Sequence, residues 1–383
     1  MEKLEQECKS IKVSVVMPIY NAGEYLSRAI SDVLSQSLTD IELICIDDGS
    51  TDNSPKIINR FKAKDDRIIS FRQSNAGPSI ARNKGLELAS GKYVIFLDAD
   101  DFYEKDLLRL LYEAAEADNL DIAVTKFDIY DEGVNRFSHP VEEPRSAAIF
   151  DNGAVTSKNE HPDHILTGTT GYAWNKLFRA SFLSEKGLAF DPDLYVFEDV
   201  HFVCSAMALA ERVKRIDGVH IHHRVYSEQS RSTLFRKYYG QVPEVYKKLR
   251  EFLMRQGMYI PLKNGYLNLS AGRCYKIYNI LWADGRERMW NLLHTEYLEA
   301  LDWLNHNQSD FESKEVYEFV ANVALYTYED YHSREENGRN IIDVEQLDKE
   351  KLNRKVKVRH KGELRRAAWR KLMKVINIFR KKK

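Results

Sequence analysis

Residues 93–101, Tyr93-Val94-Ile95-Phe96-Leu97-Asp98-Ala99-Asp100-Asp101, pass from five apolar residues to three carboxylates within four positions. A short apolar run with no polar alternation, cut off so abruptly, predicts a strand buried on both faces, and hence a parallel sheet. The acids fall just beyond its carboxyl end, where open α/β sheets place their ligands. Asp98 and Asp100 stand two residues apart, so in extended backbone both project from one face. Two carboxylates that close repel each other unless a cation lies between them. Mg²⁺ commonly takes one or two protein carboxylates and fills its other positions with water and substrate phosphates. The stretch therefore predicts either a metal–diphosphate site or an acidic turn leading into the next helix.

The chain before it repeats the same grammar. Residues 11–19 (IKVSVVMPI) predict a first strand, and Asn21 with Glu24 three residues on resembles a helix-start box. A second strand, 41–46, runs straight into Asp47-Asp48-Gly49-Ser50-Thr51-Asp52, and Ser54-Pro55 predicts a capped helix with Pro at its first position. A third strand is expected near 68–71, a turn at 74–79, a helix over 80–89 and a strand over 92–97. Strands separated by helical crossovers of about 20 residues demand a parallel sheet with helices on its faces. Asp47 and Asp48 then emerge on the same edge as Asp98 and Asp100, and that agreement is the first sign of a site. GxGxxG after the first strand and GxxxxGK[ST] are both absent, which disfavours dinucleotide and P-loop chemistry.

Beyond 101 the pattern predicts a helix over 104–117, a strand over 120–125, a loop-like stretch to 165 and a strand over 216–226. Glu198-Asp199 open a helical pattern, so Asp199 also suits a cap or first-turn carboxylate favoured by the helix dipole. His220 and His222 share a strand face, but without cysteines or a fixed third ligand they make a poor zinc pair. Residues 236–350 are helix-rich and aromatic, with no readable motif. The four cysteines (Cys8, Cys45, Cys204, Cys274) have no metal spacing and are expected to be reduced.

Taken together, these segments resemble the inverting glycosyltransferases of family 2. The matching stretches are VSVVMPIYNAGEYL (13–26), ICIDDGSTDNS (44–54), NAGPSIARNKGLELASGKYVIFLDADD (75–101), WNKLFR (174–179) and FEDVHF (197–202). The resemblance implies a GT-A fold, an α/β Rossmann-like and mostly parallel sheet with helices on both faces, followed by a helical C-terminal region. It implies a transferase domain over 11–235, with a nucleotide-sugar half to about 130 and an acceptor half from 131. The helix-rich region would then span 236–350 and a basic tail 351–383. By the same resemblance Pro18, Tyr20 and Asp48 would hold the donor's base, Arg82 would contact the nucleotide, and Asp98 and Asp100 would bind the ribose side and a Mg²⁺ or Mn²⁺ ion. Arg82 taken alone reads as a surface helix charge. Asp199 would be the general base, with Glu198 beside it supporting the base or contacting the acceptor, and Trp174, Asn175 and Lys176 bordering the acceptor. Arg224 and Ser230 resemble a late segment near the diphosphate, although His222-His223 stand where the family carries tyrosines. The Gln-x-x-Arg-Trp motif and transmembrane helices of processive relatives are absent, so one sugar per encounter is expected, from a nucleotide-sugar (a UDP-sugar first) to a glycan or lipid-linked acceptor of the cell surface.

The alternatives are a sugar-phosphate nucleotidyltransferase, and a non-enzymatic protein that binds membranes or nucleic acid through its tail. Of 57 Lys and Arg, 15 fall in 351–383 against a single acid, Glu363, leaving 42 against 57 acids in the first 350 residues. Leu364, Ala368, Leu372, Val375 and Phe379 keep helical spacing there, with Trp369, Met373 and Ile376 widening the stripe. A basic amphipathic helix of this kind suits an anionic bilayer better than RNA. The start, MEKLEQECKSIK, lacks an apolar signal core. The expectation is thus a cytoplasmic protein, peripheral on the inner face of the cell membrane.

Overall fold

The computed structural model describes residues 10–141, 146–150, 153–225, 237–337 and 352–356. Ser230 and most of the basic tail lie outside them. The chain divides into two compact units, with the division between Tyr266 and Leu267.

In the first unit, four parallel strands, β1 (Val13–Ile19), β2 (Ile41–Asp47), β3 (Ile68–Arg72) and β4 (Tyr93–Phe96), alternate with helices α1 (Leu26–Leu34), α2 (Ser54–Lys62) and α3 (Pro78–Leu88). Every residue of β2 and β4 is buried, as strands covered on both faces require. After β4 come β5 (Phe102–Tyr103), α4 (Leu107–Ala117), β6 (Ile122–Asp131), β7 (Arg136–Phe137) and α5 (Ser146–Ile149). Then follow β8 (Lys176–Arg179), α6 (Ala180–Glu185), α7 (Glu198–Leu209) and β9 (Val213–Val225). Among the described residues these strands form one sheet in the order β3-β2-β1-β4-β8-β6-β9-β5, with β7 on β6. The α/β architecture with a mostly parallel first half is the one the strand–helix alternation predicts.

Several details differ from the sequence expectation. Four-residue β8 slips between β4 and β6, antiparallel to both, and joins the two halves of the sheet. Asn21 does not cap α1. It takes a left-handed φ of 50° and ties β1's loop to β2's, its Oδ1 accepting from Thr51 N at 2.8 Å while its N–H donates to Ser50 Oγ. Ser54 likewise begins α2 rather than capping it, and its hydroxyl accepts from Ala22 N.

α3 lies close against β1, because residue 85 has no side chain: a Cβ there would sit 2.2 Å from Val16 Cγ1. On the α7 side, Phe190 and Phe202 stack at 4.1 Å and Phe96 meets both edge-on. Such a core fixes where α7 begins. Helix Val242–Arg255 completes the first unit, which thus takes in residues well past 235. The second unit is helical, with Ala283–Leu292, Lys314–Leu325 and Tyr328–Glu336 around buried Trp290 and Trp303. No helix among the described residues is long and apolar enough to cross a membrane. Cys45, Cys204 and Cys274 are buried, and none forms a disulfide among the described residues.

Candidate active site

The carboxyl ends of β1, β2 and β4 share one edge because the three strands pair parallel and in register. Tyr20, directly after β1, stands 54% exposed there. Pro18 lies inside β1, opposite Ile46. Beside them Asp48 is buried, and its carboxylate accepts three bonds from the loop after β3. Gln73 Nε2 and Ala76 N reach Oδ1 at 2.8 Å, and Gly77 N reaches Oδ2 at 2.9 Å. Asp48 therefore shapes that loop, with about one of its roughly four acceptor positions left. Gly49 makes the approach possible. Its φ is +77°, and a Cβ would stand 2.8 Å from Asn75 N.

Arg82 is the centre of the site. It projects from α3 with only 7% of its side chain exposed, among three carboxylates brought from β4 and α7. Nη2 donates to Asp98 Oδ1 at 3.1 Å and Nη1 to Glu198 Oε1 at 2.8 Å, while Nη1 lies 3.2 Å from Asp199 Oδ1. Its Nε has no acceptor among the described residues. The reading of Arg82 as a surface charge is thus corrected. A buried guanidinium is sustained only by such partners, since a charge taken out of water unpaired costs several kcal/mol. Burial alone would lower the Arg82 pKa, but Asp199, Asp98 and Glu198 outweigh it and hold it above the usual range.

One cation against three acids leaves the cluster short of positive charge. Burial first, then the neighbouring Asp199, pushes the Glu198 carboxyl up to about 7. Asp199 is raised too, by burial foremost, with Arg82 opposing and Asp98 adding to the shift. Asp199 sits in the first turn of α7, as its sequence position predicts, and its Oδ2 accepts from Ala173 N at 3.2 Å. The residue before the pair, Phe197, holds a left-handed φ of 57°. For a bulky residue that is a strained conformation, and it turns Glu198 and Asp199 back onto Arg82.

The Asp98–Asp101 turn is braced by groups the motif alone does not reveal. Tyr103 Oη donates to the Asp98 carbonyl, and Arg224 Nε donates to the Asp100 carbonyl at 2.9 Å. Asp101 is buried and accepts from Arg224 N at 2.8 Å, with His223 Nδ1 at 3.0 Å. Arg224 is itself enclosed, 4.5 Å from the Tyr25 ring and 4.3 Å from that of Phe102, with Nη1 on Glu132 Oε1 at 2.9 Å. As placed, it anchors the turn rather than presenting an open cationic arm to a diphosphate. His222 is likewise taken, between Asp128 Oδ1 at 2.7 Å and Glu104 Oε1 at 3.0 Å.

The three residues expected to border an acceptor prove to be framework. Trp174 is 2% exposed, with its faces stacked on Tyr172 at 4.9 Å and His223 at 5.1 Å. Asn175 donates to the Thr125 carbonyl and accepts from Lys176, whose ammonium also binds the Thr170 and Tyr172 carbonyls at 2.8 Å. Both are buried. The exposed aromatic surface on this loop belongs to Tyr172. The sequence gives a hint of this, since Tyr172 lies two residues from Trp174 in the same glycine-led loop.

Asp98 is a quarter exposed and Asp100 partly so. No group of three or more His, Cys, Asp or Glu among the described residues has the geometry to hold a metal. The two aspartates are hard oxygen donors. They suit a dication that keeps water and phosphate as its other ligands.

The family model described as glycosyl transferase family 2 matches residues 14–215. The uncharacterized glycosyltransferase EpsJ of Bacillus subtilis (strain 168) is 33% identical over 211 residues, 55% of this chain and 60% of that protein. The chain thus spans less than two thirds of that relative. The cholesterol galactosyltransferase of Borreliella burgdorferi is 30% identical over 305 residues, covering 72% of this chain and 82% of that one. Among solved structures, S. aureus TarS 1–349 in complex with UDP-GlcNAc superposes with a TM-score of 0.68 at 20% identity, over 87% of this chain and 95% of that one. The fold shared with TarS is GT-A.

Proposed function

The chain belongs to glycosyl transferase family 2, and on that premise we propose that it moves one sugar per encounter from a nucleotide-sugar to a hydroxyl, with inversion at the anomeric carbon. The observation that carries the reading is the meeting of Asp98, Glu198 and Asp199, from two distant segments, on buried Arg82 at the carboxyl edge of the sheet. Inverting transfer needs a base opposite the leaving group, to take the acceptor hydroxyl's proton as its oxygen attacks. Asp199 suits that role. Burial strengthens its affinity for a proton, while Arg82 keeps the ionised form available.

Tyr20 would border the donor's base, with Pro18 beside it and Asp48 offering its last acceptor position to an imide N–H. UDP-sugars are the first donors to try, since TarS is described in complex with UDP-GlcNAc. Asp98 and Asp100 would hold Mg²⁺ or Mn²⁺, which when bound supplies positive charge to the leaving diphosphate. On the acceptor side Tyr172 replaces Trp174 as the ring able to stack on a sugar, and the acceptor would be a glycan or lipid-linked glycan of the cell surface. Residues 351–383 would hold the protein on an anionic bilayer, where each Lys or Arg contributes about 1 kcal/mol.

The deciding experiment is a donor screen with Mn²⁺ across UDP-, GDP- and dTDP-sugars, read as release of nucleoside diphosphate. Release from a UDP-sugar, lost on chelation, is expected. Pyrophosphate release from a nucleoside triphosphate would instead mark a nucleotidyltransferase, and no release from any donor would overturn the reading.

A further inference from the structure

The second unit carries a cavity of about 340 Å³ that plays no part in the site above. Three helices each turn one face to it, and a fourth, Ala283–Leu292, adds Arg286. Tyr275, Tyr278 and Asn279 stand at i, i+3 and i+4 of helix Tyr259–Ile280. Glu315, Glu318, Phe319 and Asn322 stand at i, i+3, i+4 and i+7 of Lys314–Leu325. Tyr328, Tyr331, His332 and Glu335 repeat that spacing on Tyr328–Glu336. Residues so spaced share a helix face, so the sequence itself aims three polar-aromatic faces at one space.

Asn322 is the telling member. It is 5% exposed, in mid-helix, and its Oδ1 accepts no hydrogen bond among the described residues. Buried polar atoms are nearly always paired, and one left over in the lining of a cavity calls for a donor from outside the protein. Tyrosine rings with carboxylates and an amide oxygen suit a ligand that offers both C–H faces and hydroxyl donors. The charges decide among such ligands. Carboxylates at 315, 318 and 335 turn away an anion. Arg286, fixed by the Leu281 and Asn279 carbonyls at 2.9 Å, already stands 5.9 Å from the Tyr278 ring and opposes a second cation. His332 lies 3.5 Å from Glu335.

We propose that this cavity is a second ligand site, for a neutral saccharide, held in the helical unit apart from the transferase site. The binding stands on the cavity alone; its identification as a docking point for the acceptor glycan rests on the function proposed above.

The test is a titration of the full-length protein with neutral disaccharides (maltose, cellobiose, lactose and diacetylchitobiose), followed by calorimetry and saturation-transfer NMR. We expect at least one to bind at about millimolar Kd, and Asn322→Leu and Tyr275→Ala each to weaken it about tenfold or more. Both variants should keep wild-type nucleotide-sugar hydrolysis. If Asn322→Leu does not fold by circular dichroism, Glu318→Gln on the same face takes its place. No binding by any disaccharide, binding unchanged in the variants, or displacement by tetramethylammonium would overturn the proposal. Absence of hydrolysis in the wild type would count against the transferase reading and leave the titration result standing.

Discussion

At the scale of the residue, the site is governed by a shortage of positive charge around Arg82. Asp199→Asn keeps the size of the side chain and can still accept from Ala173 N. If Asp199 is the base, kcat should fall by about 10²–10⁴ with donor binding kept. A variant that turns over normally but melts earlier would reduce Asp199 to a helix-end carboxylate. Glu198 makes a separate prediction through pH. Its folded pKa, about 7, lies above the ordinary 4.5, so the folded state holds the proton more tightly. The stability it contributes is full below about pH 4.5 and is lost as pH rises through 7. Glu198→Gln should therefore flatten the fall in unfolding free energy between pH 5 and 8, by roughly 1–3 kcal/mol at the alkaline end, in denaturant titrations run across that range. An unchanged slope would mean that Glu198 is ionised throughout. Asp98 was legible at the end of its strand, because a carboxylate there has a short list of uses, whereas Arg82 and Asp199 were expected only through the family resemblance. It did not show that Trp174, Asn175 and Lys176 face inward, since a polar residue's partner is a tertiary fact. Asp101 and His223 were missed for the same reason: their contact joins residues 122 positions apart.

At the scale of the element, the strands with continuous apolar runs were legible and the short ones were not. β1, β2 and β4 announce themselves by composition. β5 has two residues and β8 four, too few for any period to register, and each exists because a longer neighbour, β9 or β6, offers it a ladder. β6 runs to Asp131, beyond the expected 125, because β9 pairs with it over that added length. The contact of α3 with β1 gives a prediction of its own. Gly85→Ala is favourable for the helix by itself, yet its methyl would meet Val16. Overpacking should win, with a loss of about 1–3 kcal/mol in chemical denaturation. Val16→Ala in the same chain should recover part of it. A Gly85→Ala variant as stable as wild type would show that α3 can shift outward.

At the scale of the whole molecule, an acidic body precedes a basic end. Leu352 and Val356 are buried and Asn353 Nδ2 donates to the Leu304 carbonyl, so the first turn of the tail packs within the second unit. The proposed bilayer contact must then come from beyond it. Full-length protein should co-sediment with vesicles containing anionic lipid, and a chain ending at Glu350 should not, while still transferring to a soluble acceptor analogue. Equal sedimentation of the two would end the membrane proposal. One further consequence follows from β8. Because this strand hydrogen-bonds to β4 on one side and β6 on the other, the two parts of the sheet cannot swing apart like a clamshell without tearing one of its ladders. Substrate entry and release would then be a matter of surface loops alone. In deuterium exchange, the amides of Leu177 and Phe178 should behave as the slowest in the molecule, opening only with global unfolding and unmoved by nucleotide.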